Sequence, residues 1–153
     1  MIRQLLGLAR DRGGAAAMEM VLITPVVAGL LFVALDFSGA WLTRLQLEQA
    51  AQRGIEAAAA RRGVALSYTY ALNEATTAWG KPLRSSALDT WLECGGVRQG
   101  SLTVSCNGQQ RARYVSIRLV GEYAPVFNWG GVLTGNTANG GYLILGDATV
   151  RVQ

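Results

Sequence analysis

The sequence predicts an α+β protein: one long apolar N-terminal helix that continues into a small antiparallel sheet domain. Three observations carry this. Met20 to Leu35 holds no charged residue, stands between Glu19 and Asp36, and with Phe37 to Leu42 reaches the roughly 20 residues of a membrane-spanning helix. After Trp41 the chain is rich in Ala, Leu, Gln, Glu and Arg, all strong helix formers. Beyond Cys94 the texture changes to short alternating stretches and Gly-rich turns. A helix first and strands afterwards is an α+β order.

A chain of 153 residues suits one domain plus a membrane segment. Half of the residues are hydrophobic, but much of that fraction lies before Trp41 and in the alanines of 50 to 60. The remainder can bury only a small core, for which a covalent staple would help. The formal charge is +4, from 14 basic and 10 acidic residues. Removing Arg3, Arg10, Arg12 and Asp11 leaves 11 basic against 9 acidic side chains, a net +2 for residues 15–153. That is an ordinary solvated surface with no nucleic-acid footprint. With no histidine and two cysteines, structural zinc is not expected and histidine acid–base catalysis is excluded. No cofactor, metal or small-molecule substrate is expected, and no enzyme.

Residues 1–14 form a candidate leader. Met1 to Leu8 is too short to span a bilayer. Arg10, Asp11 and Arg12 then make a polar collar before Gly13-Gly14, where the lack of side chains suits an extended, protease-bound backbone. Cleavage after Gly14 would create an amine at Ala15, and on a helix Ala15 and Glu19 are i and i+4, on one side. Without some such offset, a lone carboxylate at mid-membrane depth costs of order 2.5 kcal/mol or more.

Within the apolar run Pro25 removes one backbone hydrogen bond and kinks the helix, which membrane helices tolerate when neighbours satisfy the carbonyl. Arg3, Arg10 and Arg12 precede the run and Arg44 and Arg53 follow it, so the positive-inside bias puts the N-terminus in the cytoplasm by a narrow margin. Asp36 reads as a helix-boundary charge and Trp41 as an interfacial aromatic. The organisation expected is a leader over 1–14, a transmembrane half-helix over 15–42, an extramembrane half over 43–63, and a globular domain over 64–153.

In the extramembrane half, Leu42, Leu45, Ala51, Ile55, Ala58 and Ala59 recur near helical spacing, and Gly63 is a stop. Val64 to Tyr70 is a bridge. Ala71 to Trp79 reads as a second helix ended by Gly80 and Pro82. Ser86 is a candidate N-cap for a brief turn through Leu92. Gly95-Gly96 marks a turn, Ser101 to Cys106 alternates, and Asn107-Gly108 is a hairpin signal. Tyr114 to Tyr123 alternates with Val115, Ile117, Leu119 and Tyr123 on one face, and Pro125 ends that strand. Residues 128–141 read as an exposed loop, and Tyr142 to Leu145 and Ala148 to Val152 as closing strands, with Val150 and Val152 inward.

Cys94 and Cys106 enclose about a dozen residues. A bridge there would stabilise by about 3 kcal/mol in the chain-entropy model. Compartment logic for a small distal module favours the bridge over two buried thiols. The Cys-x-x-Cys spacing of redox catalysts is absent. The Gly-rich stretch 128–141 lacks the Gly-Lys-Ser/Thr of a phosphate loop. Glu19 and Asp36 are roughly 25 Å apart along one helix, too far to act on one bond.

Arg10-Asp11-Arg12-Gly13-Gly14, Ala15 to Glu19, Pro25, Asp36-Phe37-Ser38-Gly39 and the stretch Leu47 to Gly54 together resemble the TadE-like minor pilins (pseudopilins) of tight-adherence, type IVc or Flp, pili. The resemblance is specific over residues 10–62 and loose beyond. It implies a pilin-like fold and a prepilin peptidase cut between Gly14 and Ala15. It also implies that Glu19 meets the Ala15 amine of a neighbouring subunit to set register, and that the helix melts locally near Pro25. The partners implied are other pilin subunits, the peptidase, an inner-membrane assembly platform with its motor, and membrane lipid. The location implied is the bacterial inner membrane, N-terminus cytoplasmic and C-terminal domain periplasmic, with incorporation in an extracellular pilus.

Two other readings compete. In one, residues 2–39 are a secretory signal cut near Ser38-Gly39-Ala40, releasing a binding module; Glu19, Pro25 and the unbroken helical pattern at Trp41 oppose it. In the other, the protein is an unprocessed single-pass anchor for a periplasmic domain, which leaves the Gly14-to-Glu19 spacing without a role.

Overall fold

The computed structural model describes residues 12–61, 67–127, 135 and 137–153. The architecture is α+β: a long N-terminal helix, a short second helix, and a four-stranded antiparallel sheet. The first helix, α1, runs from Arg12 to Ala60 with Pro25 inside it. It begins three residues before Ala15, so the Gly14–Ala15 peptide is helical. Gly63 lies outside the described residues.

The chain divides into two compact units, at Ser38/Gly39. The described part of the first unit is helix, and its apolar side chains are exposed on all sides: Val21, Leu22, Leu30, Leu31 and Leu35 among them. A helix apolar all round is a membrane or core helix rather than a surface one. It is the one helix among the described residues long and apolar enough to cross a membrane.

In the second unit, α1 buries Leu47, Ala50, Ala51, Ile55 and Ala58, with Gly54 between them. This i, i+3/i+4 stripe places one face of α1 on the core. Ala51, Ile55 and Ala58 are as the spacing predicted. Leu42 and Leu45 are not: they stay exposed at 56% and 36%. The stripe is instead led by Leu47 and made mostly of alanines, because the helix lies too close to its neighbours for larger side chains.

The second helix, α2, spans Thr69–Trp79 and buries Ala71, Ala75 and Trp79, again at helical spacing. Gly80 ends it in the left-handed conformation (φ 66°), its N–H donating to the Thr76 carbonyl, as a C-terminal glycine does. Gly54 lets α1 and α2 touch: a methyl group there would stand 2.5 Å from the Ala71 carbonyl oxygen and 2.7 Å from Ile117 Cδ1.

The strands are β1 (Ser85–Cys94), β2 (Val97–Gln99), β3 (Arg111–Tyr123) and β4 (Tyr142–Arg151), in the order β2-β1-β3-β4, all antiparallel. On β3, Val115, Ile117 and Leu119 are fully buried and Arg118 is exposed, as the alternation predicted. Each such fully buried side chain contributes about 1.5–3 kcal/mol relative to exposure. With Leu47, Tyr68 and Trp79 they form the core, which Ile144, Ala148 and Val150 of β4 flank and Val152 closes.

Three expectations are corrected here. Ser86 caps no turn: Ser85 to Cys94 is a strand paired along its whole length with β3. Ser101 to Cys106 is not a strand. Residues 101–106 pair with none of the four strands, although β2 and β4 stand at the edges of the sheet. The closing strands are one, running through Gly146-Asp147 without a break. The hairpin turn that forms is Gly95-Gly96, with φ 59° and 85° as a two-residue type I′ turn requires. Asn107-Gly108 does turn, with positive φ at both residues and Gln109 N donating to the Cys106 carbonyl at 2.8 Å, but no strands flank it.

Candidate processing and assembly segment

Gly14 and Ala15 lie in the first turn of α1, and Glu19 follows one turn later. Glu19 is exposed and its flanks Met18 and Met20 are 69% and 68% exposed, so the carboxylate stands in an apolar surround. Ala15 and Glu19, at i and i+4 of a continuous helix, share one side of it.

The hydroxyls of the apolar run are satisfied by the helix itself. Thr24 Oγ1 donates to the Met20 carbonyl at 2.6 Å and Ser38 Oγ to the Ala34 carbonyl at 2.7 Å. Neither hydroxyl then needs an outside partner, which makes them compatible with lipid. Pro25 sits inside the same helix and supplies no amide to the carbonyl of Val21. Gly29 has open space where a side chain would be. Asp36 is 8% exposed, the one buried charged side chain among the described residues.

Cys94 and Cys106 form a disulfide with Cα atoms 5.3 Å apart. It ties the end of β1 to residues 101–110, which have no strand to hold them. Arg111 adds to this by donating to the Leu102 carbonyl at 3.1 Å.

Two clusters escaped the sequence. Glu122 accepts from Thr137 Oγ1 at 2.6 Å and from Arg84 Nε at 2.7 Å, while Thr137 Oγ1 accepts from Gly141 N at 2.8 Å. The Thr137 hydroxyl, and next the Arg84 guanidinium, hold the Glu122 carboxyl below the usual carboxylate range. On the outer sheet face Trp91 stacks on its cross-strand partner Tyr114 (5.2 Å, 14°), and Arg98 lies over Trp91 at 4.8 Å while pairing with Asp89 at 3.0 Å. Once 85–94 is a strand, odd positions point outward and Asp89, Trp91 and Glu93 fall in line. Misreading that stretch as a turn hid the cluster.

Among the described residues no group of His, Cys, Asp and Glu could hold a metal ion. The groove between α1 and α2, about 630 Å³ and open, is lined by Gln49, Gln52, Arg53, Glu56, Ala57, Ala60 and Glu74, with neither a nucleophile nor a histidine base.

An apolar span-length helix leading into a stapled four-stranded sheet defines a membrane-spanning-type α+β protein. Within that class the particular likeness is specific: residues 14–55 match the family model described as TadE-like protein. The match starts at Gly14 and takes in Ala15, Glu19, Pro25 and Asp36. No curated protein and no solved structure matches the chain significantly.

Proposed function

We propose that the chain is a minor pilin, or pseudopilin, of a tight-adherence pilus. The observation that carries this is the family match beginning at Gly14, coupled to Glu19 standing one helical turn beyond Ala15 in an exposed apolar surround. In this reading residues 1–14 are a leader, and a prepilin peptidase cuts the Gly14–Ala15 bond. The peptide must leave its helical conformation to enter a protease, and Gly13 and Gly14, poor helix formers, lower that cost. The new Ala15 amine and the Glu19 carboxylate of a neighbour then neutralise each other in an apolar place and set axial register. Pro25 weakens the helix where the filament bends it. The N-terminus is cytoplasmic and the disulfide-stapled domain periplasmic. Partners are other pilins, the peptidase and the inner-membrane platform, and the sheet domain primes, caps or decorates the pilus.

The test is the N-terminal residue of the mature protein extracted from membranes, with and without a prepilin peptidase. A peptidase-dependent start at Ala15 is expected. A start near Ala40 or Trp41 would mean a secreted module, and an intact Met1 in peptidase-positive cells an unprocessed anchor.

A further inference from the structure

The chain enters its second unit at Gly39, directly after the apolar run, and Gly39 packs against the ring of Tyr123. Three contacts order the unit from this end outward. Tyr123 lies against Gly39, Gly121 against Leu47, and Ile117 against Gly54, so β3 runs back toward the point of entry. Tyr142 pairs with Tyr123, so β4 starts at that end.

Polarity changes along this direction. The outward residues of β4, read away from Gly39, are Leu143, Leu145, Asp147, Thr149 and Arg151. Leu143 and Leu145 are 43% and 45% exposed. Below them, just past the end of β3, Val126 is 82% and Phe127 42% exposed, and Trp41, two residues after Gly39, is 51% exposed. Single exposed apolar residues are normal on a soluble surface, and Val97 and Val104 are such residues at the far end; those named here are grouped at the near end. Two cations stand beside this end. Arg44 lies over Trp41 at 5.9 Å and Lys81 over Trp79 at 5.1 Å, the latter packed near Gly121. The nearby carboxylates Glu48 and Glu122 are paired with Arg44 and Arg84. An apolar tip, the exposed Trp41 and a basic rim follow the order of a bilayer interface.

We propose that this end of the sheet domain docks on the lipid surface of the membrane that α1 enters, with Val126 and Phe127 at the acyl–headgroup boundary and Arg44 and Lys81 facing lipid phosphates. The occupant is lipid because the patch is continuous in sequence with the apolar run and shares its order of residue types. The inference rests on the reading of that run as a membrane span. Extraction into a filament must break this docking.

The experiment places a nitroxide on full-length protein through Leu31→Cys, Val126→Cys, Leu143→Cys or Thr149→Cys, one at a time. The native disulfide is kept intact and the protein sits in phosphatidylethanolamine–phosphatidylglycerol nanodiscs. Collision with oxygen is compared with collision with a water-soluble nickel chelate. Positions 126 and 143 are expected to favour oxygen several-fold over position 149, with 31 the most lipid-like. Nickel-accessible 126 and 143 beside a lipid-like 31 would overturn the docking and leave the span. Exclusion of both reagents at 126 would mean a protein occupant and also overturn it. A nickel-accessible 31 would remove the span and the docking together.

Discussion

Leu47 of α1 lies directly over Gly146 of β4: a methyl group on Gly146 would stand 2.5 Å from Leu47 Cβ and 2.7 Å from the Glu48 amide nitrogen. The obstacle is helix backbone, which cannot swing aside as a side chain can. Gly146→Ala is therefore expected to destabilise the domain by about 1–3 kcal/mol, the usual cost of overpacking. Gly121→Ala meets only Leu47 methyls and the Trp79 ring at 3.1–3.3 Å and should cost less. Urea midpoints of the detergent-solubilised chain, read by tryptophan fluorescence, check the order. Equal midpoints for both variants would contradict this packing.

The disulfide holds a stretch that has no strand of its own. The double substitution Cys94→Ser with Cys106→Ser should cost about 3 kcal/mol in the chain-entropy model for a loop of this size. It should open residues 101–110 to proteolysis before the sheet unfolds. Hydrogen exchange by mass spectrometry separates the two events; simultaneous loss of protection would show that the loop and sheet are one cooperative piece.

Glu122 should leave a mark on acid stability. Its folded carboxyl is held below the unfolded value by Thr137 and Arg84. The stability this contributes is present above the unfolded carboxylate pKa, about 4.3, and is lost as pH falls through the lower folded value. Glu122→Gln should therefore destabilise at neutral pH and flatten the fall below about pH 4. Thermal melts between pH 2 and 7 test this, and parallel curves for variant and parent would refute the assignment.

Glu19→Ala should leave membrane insertion unchanged, since it removes a charge from an apolar surround, yet abolish recovery of the protein with sheared pili. Membrane fractions and sheared-pilus fractions probed for the subunit give the readout. Normal recovery of the variant with pili would sink the register role.

Much of the fold was legible from residue type alone. A helix of spanning length needs only length and apolarity, and Thr24 and Ser38 cause no difficulty in it because they bond to their own helix. Ala71 to Trp79 and β3 were readable because each buries one face and so carries a clean period. Gly95-Gly96 was readable because few other residues accept positive φ twice in succession. The Gly14, Ala15 and Glu19 spacing is a matter of sequence, and the family match rests on the same segment.

Pairing was not legible. Ser85 to Cys94 carries Ser, Ala, Leu and Glu that suit a capped turn, and it becomes a strand because β3 offers a full-length edge. Ser101 to Cys106 has the better alternation and yet pairs with no strand, so alternation by itself did not decide pairing. The Glu122, Arg84 and Thr137 cluster joins residues up to 53 positions apart, so no local pattern announces it. The polarity gradient from Leu143 to Arg151 has a direction only once Tyr123 is seen against Gly39. Local chemistry sets the period of an element; which strand pairs with which depends on contacts between residues far apart in the chain.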